Sequence, residues 1–219
     1  MEKYVKFLIT LSTVTAILLV LVVIAVIIHY LRTRSMAEKL LNNGKRNGDF
    51  VYDLLRTYFP KGRLFKRVLL PDFLPDGSVV RRIPADIILV ERGGVFVIRV
   101  KNISGMIDNP KTGNWLVRNQ NGTTEIPNPF EQNIGGIRTV KEILKRENVY
   151  NVPLYNIVVF SGRKVTFRNR SEKLLTSDYL IEALRDMNRN KFLSQNEISN
   201  AVAAIRKYLP SSAKRQMDT

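Results

Sequence analysis

The hydrophobic pattern changes character along the chain. From Phe7 to Ile28 it is unbroken, FLITLSTVTAILLVLVVIAVII, about 22 residues without a charge, close to the ~20 that cross a bilayer's hydrocarbon core. A cleaved signal peptide has a shorter apolar centre, about 7–15 residues, and a small-residue cleavage site. Here the run passes directly into HYLRTRS and reads as an uncleaved anchor. Helical spacing follows, interrupted by Gly44 and Gly48, and resumes from Asp49 to Phe59. Phe50, Leu54 and Tyr58 form the stripe, widened by Val51 and Leu55, and Pro60 ends it.

Strand patterns come next. RLFKRVLLP reads as a strand and DFLPDGS as a turn around Pro75-Asp76-Gly77. ADIILV and VFVIRVK form a hairpin joined by Glu91-Arg92-Gly93-Gly94. SGMIDNPKTGNWLV predicts another strand pair around Asn109-Pro110. Asn128 as N-cap and Pro129 at the first helical position open a helix reaching Arg146, with Ile134, Ile137, Val140, Ile143 and Leu144 inward. The Gly135-Gly136 pair inside it marks either a close backbone approach or a tolerated weak spot. LYNIVVFSG predicts a buried strand, and helices follow over Ser177–Asn188 and Gln195–Leu209. Ser194 and Glu197 have capping-box spacing before the last. The order, one helix, three or four strands, a helix, a strand and two helices, predicts a mixed α/β layer fold.

Composition narrows the chemistry. With no cysteine and only His29, beside the apolar run, the rest of the chain works without thiolate or imidazole. That excludes Ser-His-Asp hydrolases, HNH and phospholipase-D-type nucleases, and zinc enzymes with His or Cys ligands. Carboxylates, lysine, hydroxyls and a hard metal ion remain. The net charge is +16, with only +1 (Lys3 and Lys6 against Glu2) in residues 1–31 and +15 beyond them. A balance so basic favours nucleic acid or an anionic membrane surface, with a solvated basic surface that has no specific partner as the plain alternative, and charge does not choose among them. Lys3 and Lys6 before the span are outnumbered by Arg32, Arg34, Lys39, Lys45 and Arg46 after it. This places the soluble part on the cytoplasmic side of a single-pass protein. Tyr4 and Tyr30 flank the span as interfacial residues do.

The octet VFVIRVKN, Val95–Asn102, carries the candidate chemistry. Alternation puts Val97, Arg99 and Lys101 on one face and Phe96, Ile98 and Val100 on the other. Asp86 opens the preceding strand and Lys101 ends its antiparallel neighbour, so the hairpin brings an aspartate and a lysine to one sheet end. Taken alone, Asp86 also suits a strand cap or a pair with Arg81 or Arg82, and Lys101 an edge-strand cation. Trp115, the only tryptophan, reads as a core or lid residue before a base-stacking one. Asp49 fits a helix N-terminus, Asp53 a surface acid, and Glu142/Arg146 an i,i+4 pair.

Together, the Gly48-Asp49 that opens a helix, AD-IILV-ERGGVFVIRVKN-ISGMI, Asn114-Trp115, NPFEQN before a helix and NIVVFS resemble the nuclease-related domain, or NERD, family. The resemblance covers about Gly48–Ser161. It implies a restriction-endonuclease-like mixed sheet flanked by helices, of the PD-(D/E)xK group, acting on nucleic acid, DNA first, with Mg2+ or Mn2+. Such a site needs carboxylates to hold the ion, which polarises the phosphate and acidifies the attacking water, and a lysine to stabilise developing charge. On this chain Asp49 stands where the family keeps a helix glutamate, Asp86 matches the strand aspartate and Lys101 the lysine. Asn102 and Gly105 match the residues after it, and Gln132 matches a glutamine in the helix-opening segment.

One position departs. Arg99 occupies the glutamate position of Glu-x-Lys. Two unit charges ~4 Å apart at an effective dielectric of ~20 interact by about 4 kcal/mol, and a cation here reverses the sign. Three readings stay open. Arg99 swings aside and leaves Asp86, Asp49 and a backbone carbonyl to bind metal poorly; Glu131 substitutes as a ligand from the following helix; or hydrolysis is lost and Arg99 with Lys101 holds phosphate. A scaffold lying on anionic lipid is a further alternative. The domain layout expected is an anchor over 1–35, a linker over 36–47, the nuclease-related domain over 48–162, its C-terminal helical part over 163–209 and a tail over 210–219.

Overall fold

A computed structural model of the chain describes residues 4, 18–24, 47–74, 76–189 and 193–210. Two compact units separate between Lys45 and Arg46. In the first, residues 18–24 are helical and exposed. The remainder of the expected span over 7–28 lies outside the described residues. Among the described residues no helix is long and apolar enough to cross a membrane.

The second unit is mixed α/β with two sheets. In chain order its elements are α1 (Asn47–Tyr58), β1 (Arg63–Phe73), β2 (Val79–Glu91), β3 (Gly94–Lys101), β4 (Gly105–Asp108), β5 (Trp115–Asn119) and β6 (Gly122–Ile126). Then come α2 (Pro129–Arg146), β7 (Leu154–Phe160), β8 (Val165–Phe167), β9 (Leu174–Thr176), α3 (Ser177–Arg189) and α4 (Gln195–Lys207). The larger sheet runs β1-β2-β3-β7-β9, antiparallel up to β3 and parallel from β3 onward. β3 is therefore central, and its first five residues are fully buried, as the apolar run predicts.

Helices cover both faces. Ile88, Val90, Val95 and Val97 join Val140, Ile143 and Leu144 of α2 and Ile198, Ala201 and Ile205 of α4 in one core. Ile87, Leu89, Phe96 and Ile98 alternate with them and are equally buried on the other side, where α1 and α3 meet the sheet. The smaller sheet, β6-β5-β4-β8, closes over the end of β7. Trp115 stacks on Phe160 and meets Phe130 edge-on, within a second core that includes Ile107, Val158 and Leu174. It is a core residue.

Several expectations need correction. Asp86 does not open its strand. β2 begins at Val79 and pairs with β1 along its length, whereas β3 pairs with it only as far as Ile87↔Ile98. Asp86 thus stands where β2 and β3 part. Ile134 is 45% exposed, because the inward face of α2 is set by Asn133, Gly136, Thr139, Val140 and Ile143. Gly135 and Gly136 admit side chains instead of a backbone. Cβ atoms there would lie 3.2 Å from Ile83 Cδ1 and 3.3 Å from Val97 Cγ1. Arg146 pairs with Glu142 and also lies over the Phe73 ring. The Asn128 cap with Pro129, and the Ser194–Glu197 capping box, form as expected.

Candidate functional site

The divergence of β2 from β3 leaves a notch in the strand pairing, beside the first turn of α2. Residues directly opposite on paired strands share a face, so continuing the Ile88↔Val97 register sets Asp86 across from Arg99. The two side chains meet there. Arg99 Nη1 lies 3.3 Å from Asp86 Oδ1, and the Val100 N–H donates to Asp86 Oδ2 at 2.9 Å. Arg99 Nη2 donates to the carbonyls of Pro84, at 3.4 Å, and Gln132, at 3.2 Å. The guanidinium side chain is only 15% exposed. Neither Arg81 nor Arg82 takes Asp86. Arg81 pairs with Asp72, and Arg82 donates to the carbonyls of Leu69 and Tyr208.

Lys101, two residues farther on the same face, donates to Gln132 Oε1 at 2.7 Å. The sequence marked Gln132 without explaining it; here its side chain orients Lys101 and its carbonyl steadies Arg99. Burial pushes the Lys101 ammonium below the ordinary lysine value, the Arg99 charge pushes it further, and Asp86 offsets part of the shift. Asn133, 1% exposed, fixes α2 against this end of the sheet. Its amide donates to the Val97 carbonyl and to Asn156 Oδ1, both at 2.8 Å, and Asn156 donates to the Phe130 carbonyl. Asn133 and Asn156 stand within the NPFEQN and NIVVFS motifs, but no role was read for them, because an amide turned inward carries no periodic signal.

The sequence of this unit also matches a family. One family model, described as nuclease-related domain (NERD), matches residues 43–161, more than half of the chain. The chain belongs to the NERD family. No curated protein and no solved structure matches it. The matched residues run from just before α1 to the end of β7, so they include the notch and every carboxylate proposed as a ligand.

A NERD domain is nuclease-related and suggests a divalent ion, which the carboxylates here do not fit. Both oxygens of Asp86 are engaged, one by a cation. Asp49, in the first turn of α1, is held by Lys66 at 2.6 Å and Arg67 at 3.2 Å. Glu131 is exposed and accepts from Asn128 Nδ2 at 3.2 Å. Among the described residues no three His, Cys, Asp or Glu side chains group so as to hold a metal. Asp86, Arg99 and Lys101 together carry one net positive charge, where Asp, Glu and Lys would carry one net negative.

Proposed function

We propose that this NERD domain binds nucleic acid, DNA foremost, by a backbone phosphate at Lys101, without metal-dependent hydrolysis. The reading rests on one observation, the Arg99 guanidinium paired with Asp86 where a nuclease of this group would seat its ion. Arg99 is spent on Asp86 and two carbonyls, so it shapes the notch and lends it charge, and the phosphate contact falls to Lys101. Within this reading the larger sheet is a restriction-endonuclease-like core that keeps the phosphate-binding half of its chemistry. Residues 7–28 tether it to a membrane with the domain on the cytoplasmic side.

The test uses the full chain in nanodiscs of uncharged lipid, with fluorescent single- and double-stranded oligonucleotides, Mg2+ or Mn2+, and the variants Lys101→Ala and Arg99→Glu. The proposal predicts wild-type binding without cleavage and binding weakened about tenfold or more in Lys101→Ala, as expected for a lost charged hydrogen bond of about 1.5–3 kcal/mol. Arg99→Glu, with the charge of the notch reversed, binds oligonucleotide more weakly and Mn2+ more tightly by calorimetry. Metal-dependent cleavage by wild type that disappears in Lys101→Ala contradicts it.

A further inference from the structure

The segment from Ser161 to Lys173, between β7 and β9, carries Arg163, Lys164, Arg168, Arg170 and Lys173 against a single acid, Glu172. All five cations are exposed. Arg168 pairs with Asp108 at 2.8 Å; the other four have no ion-pair partner among the described residues.

A basic connection of this kind is ordinarily loose, but this one is fastened along its length. The Ser161 N–H donates to the Lys101 carbonyl at 2.9 Å and the Gly105 N–H to the Lys164 carbonyl at 3.3 Å. Gly162 lies against the Ile103 carbonyl so closely that a Cβ has no room. Farther on, Asn109 Nδ2 donates to the Asn169 carbonyl at 2.8 Å, and the Asn169 N–H returns to Asn109 Oδ1 at 3.0 Å. Lys164 sits at φ 52°, a left-handed conformation that glycine adopts more easily, yet the position holds a cation. The first of these fastenings ties the segment directly to Lys101.

The smaller sheet extends the same surface. Arg118 of β5 is opposite Met106 of β4, which is opposite Thr166 of β8. All three are exposed and therefore share the outer face. We infer that the Ser161–Lys173 segment and Arg118 form a fixed cationic track for the successive phosphates of a nucleic-acid strand that continues past Lys101. This rests on the reading of Lys101 as a phosphate contact. A backbone already fastened loses little further freedom when its cations meet a polymer of regularly spaced phosphates. A fluid anionic bilayer needs charge without fixed placement, and this face offers it only one large exposed apolar side chain, Met106.

The experiment measures oligonucleotide affinity against salt for the full chain in nanodiscs of uncharged lipid. It compares wild type, Arg163→Ala/Lys164→Gly, Lys101→Ala, and a control, Lys141→Ala/Lys145→Ala on α2. Glycine at 164 relieves the positive φ, so lost binding there is not lost folding. Each phosphate contact removed lowers the log Kd–log salt slope by about 0.7 on single strands and about 0.9 on duplex. The Arg163/Lys164 variant is expected to lose about twice that, with the control unchanged. An unchanged slope in the Arg163/Lys164 variant overturns the track. If Lys101→Ala still weakens binding in that case, the notch reading stands alone. A fall in slope for the Arg163/Lys164 variant with Lys101→Ala unaffected removes the notch reading and overturns a track running past Lys101, leaving the segment a phosphate surface of its own. Lost attachment to phosphatidylserine-containing vesicles with oligonucleotide binding intact assigns the surface to lipid and overturns the proposal.

Discussion

The Arg99 guanidinium meets acceptors from three places in the chain, Asp86, Pro84 and Gln132, whereas Lys101 on the same face has the one neutral acceptor Gln132 Oε1. Arg99 is in effect a strut, and Lys101 is the cation left for a ligand. Only the ammonium form of Lys101 attracts phosphate, and in the free protein its pKa is held below the ordinary value of 10.5. Affinity is therefore complete below that lowered pKa and falls as pH rises through it. A bound phosphate favours the ammonium and raises the pKa, so the decline levels off at still higher pH. Lys101→Arg stays charged across this range and is predicted to keep its affinity where wild type loses it. Anisotropy titrations from neutral pH up to the ordinary lysine value check this; parallel decline in both proteins would mean that Lys101 is not the contact. Strand alternation in VFVIRVKN was enough to put Arg99 and Lys101 on one face. That Arg99 would bind the Gln132 carbonyl was not legible, since it depends on where a helix 33 residues away comes to rest.

At the scale of elements, α2 is the piece that makes the notch. Its first turn supplies Gln132, and Asn133 beside it bonds to β3 and β7 at once. Asn133→Ala leaves the Val97 carbonyl and the Asn156 amide without their partner in a buried setting. The expected loss is about 1–3 kcal/mol, read as a lower urea midpoint, and weaker oligonucleotide binding should accompany it as Gln132 shifts. An unchanged midpoint would show that α2 is placed by its apolar contacts alone. The sequence showed the termini of α2, where Asn128, Pro129 and the final cations follow local rules, and placed Val140, Ile143 and Leu144 inward as found, but it erred at Ile134. Counting large apolar residues favoured Ile134, while toward the N-terminal end the observed face passes through Asn133, Gly136 and Thr139 before it reaches Val140, Ile143 and Leu144. In the smaller sheet β6 escaped notice because GTTEI is exposed at four of its five positions, leaving no alternation to read. β8 and β9 are three residues each, too short to show a period; partners distant in the chain define them.

Across the whole molecule, charge and notch point the same way. The chain carries +16, and its NERD domain has a cation where a hydrolytic site needs an anion. The family and the course of the central strand were readable from the order of short motifs. That position 99 holds a cation was readable from the sequence alone, but its pairing with Asp86 was not. The most direct test is oligonucleotide affinity of the full chain at constant ionic strength, in EDTA and then in Mg2+ or Mn2+, with product analysis on the same samples. Affinity that is no higher with the metal, lowered only as far as a divalent ion competes for the phosphates, and intact oligonucleotide are the predicted result. Affinity that requires the metal, or cleavage that appears with it, would contradict the account.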